Sequence, residues 1–262
     1  MACALPLIVG FVLPASILLE LSLSGGDFRA DARYARLVFN SVSLAGITAA
    51  CAVALALLIA YAARGNRNPV ALAAHRLAAL GYAVPGAVIA VGILIPVTRL
   101  DHLLSGWLAS AFGVSTGLIL TGGIAALVYA YLVRFLAVAL QSVEAGLAKV
   151  KPSMDDVARS LGTAPFGILT RVHVPLLAPS LLTAALMVFV DVMKELPATF
   201  MMRPFNFDTL AVHAYNLASD ERLSELAAPA LTIVVAGLVP LIVLSRSIVR
   251  ARVGAERRGK RN

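Results

Sequence analysis

Six stretches of this chain contain no Asp, Glu, Lys or Arg: Met1–Leu19, Leu37–Ala63, Leu77–Thr98, His102–Val133, Val172–Val190 and Leu226–Ser245. Each approaches or exceeds the roughly 20 apolar residues that a helix needs to cross a bilayer's hydrocarbon core. A soluble domain of 262 residues, 60% of them hydrophobic, has too little interior to hide that much apolar surface, so the solvent is lipid. Lipid offers no partners to backbone N–H and C=O groups, which leaves helices or a closed barrel, and a barrel's short alternating segments are absent. The expectation is an all-α membrane protein, one domain over residues 1–262. Its spans are placed at 4–23, 41–63, 77–98, 117–140, 177–196 and 226–245, with both termini in the cytoplasm.

The formal net charge is +8, which by itself would suit nucleic acid. Its distribution instead follows the positive-inside rule. With cytoplasmic termini, the inside segments hold Arg64, Arg67 and Arg76, then Arg134, Lys149, Lys151, Arg159 and Arg171, then the basic tail from Arg246 to Arg261. Only seven basic residues fall outside: Arg29, Arg33, Arg36, Arg99, Lys194, Arg203 and Arg222. The charge therefore reports topology and lipid contact, and no nucleic-acid partner is expected. Cys3 and Cys51 lie in apolar spans without metal spacing and read as small packing residues. Met1–Leu19 lacks a basic leader and a cleavage site, so it reads as a retained helix.

Within the spans, Pro85 and Pro96 are expected to kink the third helix, and Gly122-Gly123 to allow close helix approach in the fourth. Trp107 suits an interfacial anchor in an outer loop, Arg99–Ser115. Asn68-Pro69 marks an inner turn, and Ser24 to Asp27 ends the first span. Asp208 is placed to cap a short helix in the loop Pro197–Glu225. The tail's Gly254 and Gly259-Lys260 imitate a phosphate loop, but Arg261 stands where Ser or Thr would hold magnesium and no strand precedes it, so this chain binds no ATP itself. His75, His102, His173 and His213 are scattered. No metal site, catalytic group or enzyme activity is supported.

The long polar interruption is Lys151–Pro175, KPSMDDVARSLGTAPFGILTRVHVP. Ser153 can cap a helix, with Asp156 closing a capping box. Met154, Val157, Ala158 and Leu161 form one apolar face, while Asp155, Asp156, Arg159 and Ser160 take the polar one. Gly162 suits a left-handed stop, Pro165 the start of a second short helix, and Pro175 its end. The segment fits either an interfacial helix lying on lipid or a helix whose apolar face docks in a partner's groove, and the two Asp residues favour the groove. Near the outer end of the fifth span, Asp191, Lys194 and Glu195 share one face by spacing. They read as the polar lining of a substrate path or as an internally paired cluster at the interface.

These residues resemble a known family. Permeases of binding-protein-dependent ABC importers carry a cytoplasmic motif of Glu-Ala-Ala, three residues, Gly, nine residues, then Ile-x-Leu-Pro. Here Asp156-Val157-Ala158, Gly162 and Val172-His173-Val174-Pro175 keep every spacing. The resemblance implies that Ser153–Gly162 is the coupling helix seated in a separate ATPase dimer, which would hold ATP and magnesium. It also implies a periplasmic solute-binding protein as partner and an inner-membrane location. The stretch Asp191–Glu225 is similar to the second half of Fbp-type ferric-iron permeases, which join two six-span halves. Ferric iron is then the leading substrate, with thiamine, polyamines or phosphonates as family alternatives. A chain resembling one half implies a truncated gene, a fragment, or a subunit needing a second half or a homodimer mate. A secondary transporter driven by an ion gradient is the rival, disfavoured because no charge is expected in the middle of a span.

Overall fold

The computed structural model describes residues 4–24, 31–65, 69–113 and 117–259. Cys3, the break after Ser24, Asn68 and Arg261 lie outside the described residues. Every regular element among those described is helical: α1 (Leu5–Ser24), α2 (Ala32–Gly65), α3 (Pro69–Leu80), α4 (Gly86–Phe112), α5 (Ala125–Leu147), α6 (Pro152–Ser160), α7 (Pro165–Met193), α8 (Pro197–Met202), α9 (Leu210–Ser219) and α10 (Leu223–Gly259). Six of them, α1, α2, α4, α5, α7 and α10, are long and apolar enough to cross a membrane.

The core is the mutual packing of α2, α5 and α7. On α2 the buried face is Leu44, Ala45, Ala49, Ala52, Ala56 and Ala60. Their three- and four-residue spacing makes a stripe of methyl groups that lets the α5 and α7 backbones come close, which is how helices associate in lipid without a hydrophobic drive between them. Tyr131, Leu127 and Leu140 from α5, with Leu177 and Val188 from α7, complete the centre. α10 packs on α9, α1 and α7, and α4 on α5 and α8. α1 buries none of its residues within the chain.

Several boundaries differ from the hydropathy reading, each for a local reason. Pro85 does not kink a helix: Val84 is extended and Pro85 is the N-cap of α4, because proline disfavours helical geometry in the residue before it. The residues from Arg99 to Phe112 are accordingly helix and not loop, and Arg99, Asp101 and Trp107 all lie within α4. Gly122-Gly123 precede α5 in an irregular turn, where a Cβ on Gly122 would meet the Leu118 carbonyl at 2.2 Å. Asp101, fully buried, holds that turn by accepting the N–H groups of Ile119, Leu120 and Thr121 and the Thr121 hydroxyl. Pro175 does not end the second helix of the polar segment. A π turn at Leu169–His173 absorbs the mismatch, and the chain runs on as α7 with Pro175 in the first turn after it. Thr209, not Asp208, caps α9, accepting the Val212 N–H. Cys51 sits on the exposed side of α2 rather than packed.

Two consequences are measurable. Gly81, in the turn between α3 and α4, lies so close to α5 that a Cβ would stand 1.8 Å from the Val133 carbonyl oxygen. Gly81→Ala should cost about 1–3 kcal/mol by overpacking, read as a lowered unfolding temperature in detergent. On α9, burial together with Arg33 and Arg222 holds the His213 imidazole below its ordinary value of 6.5. The unfolded chain then binds that proton more readily, so this contribution to stability is present above pH 6.5 and is lost as pH falls. His213→Gln should flatten the pH dependence of thermal unfolding in that window.

Candidate functional site: a projecting helix and two buried ion pairs

The segment Lys151–Pro175 folds as a short helix, a sharp reversal and the start of α7. Ser153 does not cap α6. The helix begins two residues earlier, with Pro152 in its first turn and Lys151 as N-cap without a side-chain bond, since proline's fixed φ suits a first turn that has no N–H to satisfy. The C-terminal stop is at Gly162, where φ is 78°. Gly162 N–H donates to the Arg159 carbonyl and Thr163 N–H to that of Ala158, at 2.9 and 3.1 Å. These paired bonds close the last turn around a left-handed residue.

The faces of α6 are divided in an order that the periodicity did not reveal. Met154, Val157 and Leu161 project outward, Leu161 at 79% exposure, and Phe166 continues the ridge. Ala158 turns inward with Asp155, which is 7% exposed. Asp156 stays on the surface near Arg159. Thus an apolar ridge faces out and a carboxylate faces in.

Asp155 is buried because two core helices, α2 and α7, supply its partners. Arg64, in the last turn of α2, donates Nε–H to its Oδ2 at 3.0 Å. The other two arms of the same guanidinium reach the carbonyls of Leu147, the last residue of α5, and Val150, just past it, at 2.7 and 2.5 Å. His173, fully buried in the π turn of α7, places Nε2–H 2.7 Å from Oδ1. Tyr61 packs edge-on against the His173 ring at 5.2 Å, and its hydroxyl donates to the Pro165 carbonyl. Sequence reading missed this node since its members lie 91 and 18 residues from Asp155. The only local signal was an Asp at an inward helical position beside Ala158.

The second constellation is Asp191, Lys194 and Glu195, and the fold does not keep the three together. α7 ends at Met193, so Lys194 is its C-cap and Glu195 lies past the helix. Asp191 and Lys194 pair at 3.0 Å, with Lys194 mostly exposed. Asp191, Gln141, Thr183 and Tyr82 line a groove of about 510 Å³ along α5 and α7, whose remaining walls are mainly apolar. Glu195 turns the other way and is buried. Its Oε1 accepts Arg134 Nη1–H at 3.1 Å and the Ala198 N–H at 3.2 Å, while its carbonyl accepts the Thr199 hydroxyl, which also bonds Tyr131. The Gly86 backbone lies against this pair: a Cβ there would stand 1.9 Å from Arg134 and 2.4 Å from Glu195.

Arg134 sits near the middle of α5, which corrects two readings. It is not in an inner segment, because it shares a depth with Glu195 at the far end of α7. Charges do occur within membrane-length helices, at Asp101 and Arg134. Among the described residues no group of three or more His, Cys, Asp or Glu is arranged to hold a metal ion.

No protein-family model matches the sequence. Similarity to individual proteins is clearer. Over 223 residues, 85% of this chain, it is 26% identical to the Fe(3+)-transport system permease protein FbpB 2 of Haemophilus influenzae, covering 40% of that protein. It is 32% identical over 125 residues to the putative 2-aminoethylphosphonate transport system permease protein PhnV of Salmonella typhimurium, covering 48% of this chain and 46% of that one. The chain therefore spans less than half the length of these curated relatives. In fold it matches a chain of the bacterial alginate ABC transporter crystallised with an alginate pentasaccharide-bound periplasmic protein. The TM-score is 0.67 at 15% identity, over 95% of this chain and 93% of that one. The chain resembles the permeases of ABC importers. The six membrane-length helices of this permease-like chain accord with a multi-pass membrane protein.

The buried Arg134–Glu195 pair yields a stability prediction. Arg134→Gln leaves Glu195 buried without its countercharge and should cost about 3–5 kcal/mol. Pairing it with Glu195→Gln should recover much of that loss, a non-additivity measurable as a double-mutant cycle by thermal unfolding in detergent.

Proposed function

We propose that this chain is the membrane-spanning permease subunit of a binding-protein-dependent ABC importer, moving solute inward at the expense of ATP hydrolysed on a separate subunit. The observation that carries this reading is the ridge of α6. Met154, Val157, Leu161 and Phe166 are exposed on a segment that leaves the bundle. Exposed apolar ridges of this kind dock in a partner's groove. In this reading the groove belongs to an ATPase dimer in the cytoplasm, where ATP and magnesium bind. The motif spacing from Asp156 through Gly162 to Pro175 supports that partner. The relatives' names support a transport-system permease.

Transport then proceeds by alternating access. ATP binding draws the ATPase subunits together, α6 follows, and the core helices reorient around the solute path. The α6 contact must differ in free energy between the two ATPase states, because an equal contact shifts no equilibrium. A periplasmic solute-binding protein docks on the side of α8 and α9, and a second permease half closes the path. The groove of Asp191, Gln141 and Thr183 is the candidate path lining on this half, with Asp191 favouring a cationic cargo. Ferric iron leads among substrates, as the Fe(3+) permease similarity extends over most of the chain. A phosphonate is the second reading, supported by the shorter but more identical match. An ion-gradient-driven transporter would find use for the buried Arg134–Glu195 pair, but it leaves the α6 ridge without a role.

Co-expression with ABC ATPase subunits tests the reading. The wild-type chain should co-purify with one of them and support ATP hydrolysis. Leu161→Glu, which alters an exposed ridge position, should reduce the co-purified ATPase about tenfold or more, a loss of about 1.4 kcal/mol or more, without lowering the unfolding temperature. Failure of any ATPase to associate would sink the proposal. For cargo, uptake of radioactive iron should fall in Asp191→Asn, and unaltered uptake would return Asp191 to a purely structural pairing with Lys194.

A further inference from the structure

Nine residues of helix cannot by themselves carry a force into a membrane bundle. α6 is too short to be stable alone, and its outward face is the one a partner would take. What joins it to the bundle is therefore decided by its inward face, which offers Asp155 and Ala158. Ala158 contributes a methyl group. Asp155 contributes a carboxylate whose two oxygens go to two different core helices, Oδ2 to Arg64 of α2 and Oδ1 to His173 of α7.

Arg64 extends the connection. Its three nitrogens are used on three separate acceptors: the Asp155 carboxylate, the Leu147 carbonyl at the end of α5 and the Val150 carbonyl in the link to α6. One planar fork thus ties α6 to both α2 and α5, a geometry lysine cannot reproduce because its ammonium is a point donor. Little solvent reaches the node: the side chains of Arg64, Asp155 and His173 are 15%, 10% and 0% exposed. Low local dielectric strengthens such bonds and makes any unpaired member costly. α2, α5 and α7 are also the three helices whose mutual packing forms the core. A single buried carboxylate on α6 is consequently bonded, directly or through one guanidinium, to every helix of that core.

We infer that Asp155, Arg64 and His173 are positioning residues that make α6 one rigid body with α2, α5 and α7, so that displacement of the α6 ridge becomes displacement of the whole core. This rests on the reading of α6 as the ATPase contact and specifies how the motion passes inward. Arg64 is the central member, and Tyr61 braces His173 from the same turn of α2.

The test uses the full chain assembled with its ATPase and second permease half, spin-labelled at two exposed positions away from the ridge, Ser160 on α6 and Leu58 on α2. In the otherwise wild-type complex the label-to-label distance should be single and unchanged between the nucleotide-free state and the state trapped with ATP and vanadate. In Asp155→Asn the distance should broaden and shift with nucleotide, while ATPase co-purification stays within about twofold and the ratio of nucleotide-stimulated to basal conformational response across the core falls about fivefold or more. Arg64→Lys should fall between the two, since it retains the charge but not the fork. A wild-type distance that changes with nucleotide overturns the inference. So does an Asp155→Asn complex that merely melts earlier while keeping one nucleotide-independent distance. Should the wild-type chain bind no ATPase, the functional reading itself fails and the joint goes with it; a wild-type complex that couples while Asp155→Asn couples equally rejects the joint alone.

Discussion

The close approach of α2 to α5 and α7 through Ala45, Ala49, Ala52, Ala56 and Ala60 is the contact on which the rest of the molecule depends. In lipid, leucine gains little by leaving the acyl chains for a neighbouring helix, so van der Waals contact between near backbones has to hold helices together. Small residues on one helix allow larger ones on its partners, and Tyr131, Leu127, Leu140 and Leu177 fill the space they leave. The same proximity brings the last turn of α2 within reach of the end of α5, of α6 and of the π turn of α7. Arg64 can fork across three acceptors only because its helix lies that near.

Two buried ion pairs then divide the bundle by depth. Arg64–Asp155 lies where the core helices meet the projecting segment, and Arg134–Glu195 lies near the middle of α5, against the break between α7 and α8. Neither is justified by stability alone, since burying charges costs several kcal/mol of desolvation that pairing only offsets. Each instead fixes one geometry where an apolar contact would tolerate several. Gly86 illustrates the demand: its missing side chain is the space that the Arg134–Glu195 pair occupies.

The amount of this that could be read from residues alone followed the range of the forces involved. Apolar length set the number of crossing helices, and a glycine after a periodic run located the reversal at Gly162. Local geometry governed the errors. Pro85 began a helix that hydropathy had started eight residues earlier, and the π turn before Pro175 removed a stop that proline alone had suggested. Polar residues inside the bundle were the hardest to place. Asp101, Arg134 and Asp155 each looked like surface or loop charge, because burial of a charge is decided by a partner distant in sequence. Asp191, Lys194 and Glu195 share a helical spacing, yet the helix ends before it can apply to the last two.

The arrangement of α6 has a bearing on the life of the chain before it meets any partner. A helix that folds its carboxylate inward and leaves methionine, valine and leucine in water displays the pattern by which chaperones and quality-control proteases recognise unfinished proteins. Here that pattern is displayed by a segment already tied into the bundle, since Asp155 finds Arg64 and His173 within the chain. On the proposed docking, an orphan copy would be marked for removal by the same three side chains that a partner would cover. Abundance in the membrane would then track the supply of whatever covers them.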